Sequence, residues 1–391
     1  MPSHPPVALV PWSWSSETSF YQPPSPLPSE PPGTLIRIQH MAPIVPIPKG
    51  AAAWRILYYS RSIVGSDIAV SGVLVLPARP APPGGWPLVS YAHATTGIAT
   101  ACAPSRFAYL GWITDLGGLL HAGYAVVATD YPGLGTPGVH PYLVGVSEAR
   151  SVLDAARAAR EVPGVDISNR VVVLGYSQGG QAVLFAGQLA ASYAPDIDLL
   201  GVIALSPGIA IPELISHLSS SASMNGFFVT VAYAWSHTYL DLPITSLLRP
   251  AAMALIGNVD TQCENGLVKT YSSLQPSQVE QPDLAANEPW QRYLIENDPG
   301  HSPSHAPILV AQGEQDPLVP YQLTESFAQM ACAREHDHVR LMLFSGAGHY
   351  TVTLDSRSAV LKWIRNRFAG IPIRHGCPGV PPPPGGVVPS V

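Results

Sequence analysis

Charge is what this chain has least of. Only 12% of its 391 residues are Asp, Glu, Lys or Arg, about half the share usual in soluble domains. The formal net charge is -6 and no run of Lys or Arg occurs, so the basic footprint that phosphates attract is missing and no nucleic-acid partner is expected. Long apolar runs are missing too. No stretch approaches the roughly 18 uninterrupted apolar residues of a membrane span, so no transmembrane segment is expected. The first residues, 1–11, carry neither a basic n-region nor an apolar h-region, and an export signal is not read in the sequence as given. The four cysteines, Cys102, Cys263, Cys332 and Cys377, stand far apart with no Cys-x-x-Cys pair. That spacing argues against zinc and no metal site is expected; the even number permits two disulfides, which would imply an exported protein.

What is present is apolar bulk and proline. Hydrophobic residues make up 47% of the chain, enough for one large core with a sizeable insertion. Many of the 43 prolines lie near the ends, at Pro23, Pro24, Pro26 and Pro28 and at Pro381 to Pro384. Residues 1–50 therefore read as a Pro-rich N-terminal extension and 378–391 as a Pro/Gly-rich tail, both extended or disordered.

Between them, strand and helix patterns alternate. Short β-branched or apolar runs at residues 68–76, 86–91, 125–130, 171–174, 202–205, 308–312 and 338–344 read as strands. Residues 147–160, 181–193, 321–334 and 356–368 read as helices. This order implies a mostly parallel sheet with helices on both faces, an α/β fold. The long interval after residue 205 exceeds any ordinary connection and is assigned to an inserted cap over 209–300, leaving 51–208 and 301–377 as the core. Inside the cap, residues 211–218, 227–235 and 246–256 read as apolar helices, with a strand an alternative for 227–235.

Gly175-Tyr176-Ser177-Gln178-Gly179 fits the Gly-x-Ser-x-Gly nucleophile elbow in the context that motif requires, after a strand and before a helix. The glycines let the turn close tightly enough to project the Ser177 hydroxyl above the sheet. A serine hydroxyl needs a base, and the α/β-hydrolase arrangement supplies its partners in the order Ser, Asp, His from loops at strand ends. Asp316 follows the strand at 308–312, and His349 follows that at 338–344. His349 is assigned as the base and Asp316 as the group that orients it, with Glu314 the rival acid and His93 a histidine that precedes Ser177 in the chain. The oxyanion needs preset donors: the amide of Gln178 is one, and the loop at residues 93–97, through Thr96, is the candidate for the second.

At this point the chain resembles a known group, the secretory lipase family. The resemblance rests on Ser90-Tyr91-Ala92-His93-Ala94-Thr95-Thr96-Gly97, Cys102-Ala103-Pro104-Ser105, Thr129-Asp130-Tyr131-Pro132-Gly133-Leu134-Gly135, the elbow, and the positions of Asp316 and His349. It implies an α/β-hydrolase core with a helical cap over the acyl site, hydrolysis of fatty-acyl esters, no cofactor, and bridges pairing Cys102 with Cys263 and Cys332 with Cys377. Ala94 departs from the Gly common in bacterial relatives. The expected function is a serine carboxylic ester hydrolase, lipase or esterase, acting on a small-molecule or lipid ester, with interfacial lipid contact and secretion in prospect. An acyltransferase or peptidase on the same triad, or a silent binding protein, are the alternatives.

Overall fold

The computed structural model describes residues 19–373, apart from 43–46, 283, 285–287 and 334–337, together with the two-residue strand β1 (Ala8–Leu9). The strands that follow are β2 (Leu35–Met41), β3 (Ala52–Arg61), β4 (Asp67–Leu76), β5 (Trp86–Ala92), β6 (Ala125–Thr129), β7 (Ile167–Tyr176), β8 (Asp198–Leu205), β9 (Ile308–Gly313) and β10 (Val339–Phe344). They form a ten-stranded sheet in the order β1-β2-β3-β4-β6-β5-β7-β8-β9-β10. From β6 through β10 every neighbouring pair is parallel, while β2, β3, β4 and β6 pair antiparallel. The chain is an α/β-hydrolase fold, as the alternation of patterns implied.

Burial on both faces explains the near-continuous apolar strands. Within β7, Val171 and Val173 pack into one cluster and Val172 and Leu174 into the other, and β9 divides its residues in the same way. Against the first face lie α2 (Gly145–Arg160) and α3 (Gln178–Tyr193); against the second lies α1 (Leu116–Ala122). The alanines of α2, among them Ala149, Ala155, Ala156 and Ala159, are buried and let its backbone approach sheet and α3 closely. Gly145 begins the helix where an added Cβ would lie 2.2 Å from the Phe185 ring.

The proline-rich start differs from its expectation. Residues 35–41, counted within the extension, form β2, and β3 beside it went unread. Phe20 and Tyr21 are buried against Leu57 and Ala69, and the Tyr21 hydroxyl lies 2.9 Å from Ser105 Oγ. Proline removes ladder donors only where it sits, and the prolines here flank the strands rather than interrupt them.

Between β8 and β9 the chain makes α4 (Ile211–Leu218), α5 (Asn225–Thr238), α6 (Glu264–Tyr271) and α7 (Glu288–Glu296). Residues 227–235 are helical. The single helix expected at 246–256 is broken: a 3₁₀ turn, Ile244–Ser246, precedes a one-turn helix, Pro250–Met253, and another 3₁₀ turn, Ile256–Asn258, follows. Pro250 donates no backbone hydrogen bond and sits at the first helical position, so a helix begins there instead of running through. These elements share a cluster of their own that reaches the core through Ile98, Tyr142, Leu143, Val144 and Val319. The core then closes with α8 (Tyr321–Cys332) and α9 (Arg357–Phe368). Among the described residues no helix is long and apolar enough to cross a membrane.

Candidate active site

Ser177 stands between β7 and α3 at φ 56° and ψ -117°, a backbone conformation that costs about 1–3 kcal/mol in a residue with a side chain. Two glycines make it reachable. A Cβ at Gly175 would lie 1.9 Å from the Gly179 carbonyl oxygen, and one at Gly179 would lie 2.0 Å from the Ala92 carbonyl oxygen. Neighbouring strands hold the turn: the Ser177 amide donates to the Leu205 carbonyl at 2.9 Å, and its carbonyl accepts from Gly180 at 2.8 Å and Gly208 at 3.1 Å.

His349 and Asp316 meet at the same place. Ser177 Oγ is 2.9 Å from His349 Nε2, and His349 Nδ1 is 2.7 Å from Asp316 Oδ2. With Nδ1 donating to the carboxylate, Nε2 is left to accept from the serine. Asp316 Oδ1 takes the amides of Leu318 and Val319, each at 2.9 Å, while Gln312 Nε2 donates to Oδ2 at 3.0 Å. Thr324 Oγ1 in turn donates to Gln312 Oε1 at 3.0 Å. Burial pushes the Asp316 carboxyl up, but the His349 ring and the two amides outweigh it and hold it below its ordinary value. Glu314 is exposed. His93 is buried away from the serine, its Nε2 3.3 Å from the Asp130 carbonyl and its ring against Trp112 and Tyr131; burial lowers its pKa to about 4.

Gln178 opens α3, so its amide has no carbonyl upstream in the helix to take it. Its side chain turns inward instead. Gln178 Nε2 lies 2.8 Å from His140 Nε2 and 2.7 Å from Glu148 Oε1, all three residues buried. Since His140 Nδ1 donates to the Pro132 carbonyl at 2.9 Å, its Nε2 accepts, and the amide group of Gln178 spends both hydrogens on His140 and Glu148. Burial raises the Glu148 carboxyl to about 8 and lowers His140 to about 3. Glu148 Oε1 also takes the amide of Leu143 at 2.9 Å, a residue held at φ 55° on the cavity wall. No motif announced His140 or Glu148.

The cavity above Ser177 is small, about 40 Å³, and apolar, with Leu143, Leu214, Leu218, Phe227, Leu318 and Val319 around it. Thr95, not Thr96, lines it, and Thr95 Oγ1 is 2.9 Å from the Tyr142 hydroxyl. Thr96 was the sequence candidate for the second oxyanion donor; it faces a neighbouring cavity, and its carbonyl is taken by the Glu264 amide at 2.9 Å. Residue 264 follows Cys263, whose disulfide to Cys102 ties the insertion to the chain just past the 93–97 loop. Gly97 fits beside it at φ 112°, where a Cβ would lie 2.9 Å from Cys263 Cα. Cys377, the expected partner of Cys332, lies outside the described residues.

The Asp130 signature has a structural use. Asp130 Oδ1 accepts the Ser105 amide at 2.9 Å, and Oδ2 accepts the hydroxyls of Ser71, at 2.6 Å, and Ser105. Fully buried, the carboxyl is pushed up to about 6 while it joins β4 and β6 to the loop that bears Cys102.

Comparison with known proteins adds to this geometry. A family model described as secretory lipase matches residues 113–376. The "Probable inactive lipase MT1628" of Mycobacterium tuberculosis is 25% identical over 378 residues, covering 92% of this chain and 83% of that protein. The "Secreted triacylglycerol lipase LIP4" of Malassezia globosa is 26% identical over 388 residues, covering 92% and 83%. Among solved structures, Candida antarctica lipase A in its closed state superposes with a TM-score of 0.81 at 22% identity, covering 93% of this chain and 88% of that one.

Proposed function

The chain belongs to the secretory lipase family of carboxylic ester hydrolases, and from that premise we propose that it cleaves acyl esters through a covalent acyl-Ser177 intermediate. The observation that carries this reading is the unbroken line of hydrogen bonds from Ser177 through His349 to Asp316. Ser177 Oγ attacks the ester carbonyl as His349 Nε2 takes its proton. The bond from acyl carbon to alcohol oxygen breaks, and the leaving alkoxide receives that proton. Water then enters, gives a proton to His349 and attacks the acyl carbon; the acid departs and the proton returns to Ser177. Asp316 keeps Nδ1–H in place throughout and stabilises the imidazolium.

The Gln178 amide, at the positive end of α3, serves the oxyanion, and Thr95 is the residue best placed to supply the second donor. The insertion acts as a cap: α4 and α5 put Leu214, Leu218 and Phe227 over the serine, an apolar surface suited to an acyl chain. Export belongs to the same reading, since the Cys102–Cys263 bridge is of the kind that persists in oxidising compartments.

A nitrophenyl ester series of graded acyl length, run beside labelling by a phosphonate ester, tests the proposal. Turnover with stoichiometric modification of Ser177 is expected. An unlabelled serine and no turnover would overturn it and leave a silent binding protein.

A further inference from the structure

The cavity above Ser177 measures about 40 Å³. A cavity of roughly 150 Å³ takes benzene, so the space beside the proposed nucleophile admits about one or two carbons past a reacting carbonyl. Gly208, on the same lining, gives an independent measure. A Cβ added there would lie 3.6 Å from Leu143 Cδ2 and 3.8 Å from Leu214 Cδ2, so one methyl already reaches both side chains.

The walls are not free to part. Leu143 is held at φ 55° with its amide on Glu148 Oε1 at 2.9 Å. Leu318 and Val319 give their amides to Asp316 Oδ1, each at 2.9 Å, so moving that side outward strips bonds from the acid that orients His349. The cap side is pinned as well. The Ile211 amide, at the start of the helix that carries Leu214 and Leu218, donates to Asp298 Oδ1 at 3.1 Å. The helix that carries Phe227 donates Trp235 Nε1 to the Tyr142 carbonyl at 2.9 Å. Where the insertion returns to the core, Asn297 Oδ1 takes the Gly145 amide at 3.1 Å and the Asn297 carbonyl takes Gln181 Nε2 at 2.7 Å. With the Cys102–Cys263 bridge, the insertion is fastened to the core at several separate points. A close-packed interior held in this way does not stretch around a longer guest without breaking contacts.

We propose that this protein is selective for esters of short acyl groups, acetyl or propionyl, and that Phe227 and Leu218 set the limit. The inference rests on the hydrolase reading and deepens it: the acyl site under the cap takes the first carbons of a chain and no more. Phe227 is the largest hydrocarbon side chain on the lining, and Leu218 ends the helix beside it. A long fatty-acyl chain has no place above Ser177 unless these side chains give way.

The test holds the leaving group constant. kcat/KM is measured for dissolved 4-nitrophenyl acetate, propionate, hexanoate and octanoate with the wild-type protein, Phe227→Ala and Leu218→Ala, each variant first shown by circular dichroism to be folded. Wild type should favour acetate or propionate over octanoate by about tenfold or more, since even one methylene too many for an apolar pocket costs about that much. At least one variant should raise the octanoate-to-acetate ratio by about tenfold, because it opens the space that the longer chain lacks. The ratio cancels any general loss of activity that the substitution brings. Octanoate hydrolysed by wild type as well as acetate, or a ratio unmoved in both folded variants, overturns the short-acyl site while leaving the hydrolase standing. No turnover of any ester by the wild-type protein overturns both readings together.

Discussion

Glu148 Oε1 and Gln178 Nε2 lie 2.7 Å apart with both side chains buried, so the residue after the proposed nucleophile is fixed from below by a carboxyl group on α2. The same oxygen holds the amide of Leu143. Around it stand His140, at 3.7 Å, and the rings of Tyr131 and Tyr142. Removing the carboxyl orphans two buried donors at once, at a cost of about 1–3 kcal/mol each. Glu148→Ala is expected to lower both melting temperature and kcat, whereas Glu148→Gln keeps an acceptor and should retain most of the rate. Equal kcat losses in the two variants would show that the carboxyl does more than position Gln178.

Glu148 also gives stability a pH dependence. Its folded pKa, about 8, lies above its ordinary value of 4.5, so the folded state binds the proton more tightly than the unfolded chain does. The contribution is complete below pH 4.5 and is lost progressively as pH rises toward 8. Glu264, raised to about 7, and Asp130, raised to about 6, act in the same sense. Glu148→Gln cannot titrate and should flatten part of this decline. Urea midpoints of the two proteins at pH 5 and pH 9 measure it, and parallel pH profiles would refute the assignment.

Ser177→Ala should retain the fold and lose about 10⁴-fold or more in kcat, with the residual rate above water left to the oxyanion donors and substrate binding. Circular dichroism unchanged beside near-normal turnover would end the covalent mechanism.

Asp316→Asn should cost orders of magnitude in kcat, on the order of 10⁴, because it disturbs the tautomer that leaves His349 Nε2 free to accept. Glu314→Gln, at an exposed position, should stay within about threefold of wild type, as surface changes usually do. Steady-state kinetics on one ester compare them directly, and the reverse order would reassign the acid.

How much of this was legible beforehand depended on whether chemistry followed local pattern. Ser177, Asp316 and His349 each sit just past a strand whose apolar run is readable, so their chain order was enough to bring them together. Gln178 was readable as the residue after the elbow serine, whereas the helix was read only from residue 181 and begins at Gln178. What the Gln178 side chain does was not readable, since His140 and Glu148 are 38 and 30 residues away and meet it only when α2 packs on α3. Sequence pointed to Thr96; that Thr95 rather than Thr96 lines the cavity at Ser177 depends on the path of one loop, pinned by Gly97 and the Glu264 amide, and a run of polar residues carries no signal for that. At the N-terminus, proline density hid β2, because composition averaged over the segment masks an alternating run between the prolines.

The Cys102–Cys263 bridge spans a sequence separation of 161 residues and closes the insertion onto the loop that carries Thr95. In the chain-entropy model, a loop of that length gives ~5 kcal/mol of stabilisation, although measured values are often smaller. The local consequence is sharper. The Thr96 carbonyl takes the Glu264 amide one residue past the bridge, so the segment carrying Thr95 and Thr96 and the start of α6 are joined by a covalent bond and a hydrogen bond close together. The strand ladders themselves are made without this contact. Reduction, or Cys263→Ser, should therefore loosen cap and oxyanion loop first, lowering kcat/KM under conditions where the circular dichroism of the core is unchanged, with full unfolding following at a lower denaturant concentration than in the oxidised protein. Non-reducing peptide mapping establishes which state is assayed. Activity and circular dichroism lost together along one denaturant curve, in both oxidised and reduced protein, would mean that the cap has no independent motion and that the bridge serves stability alone.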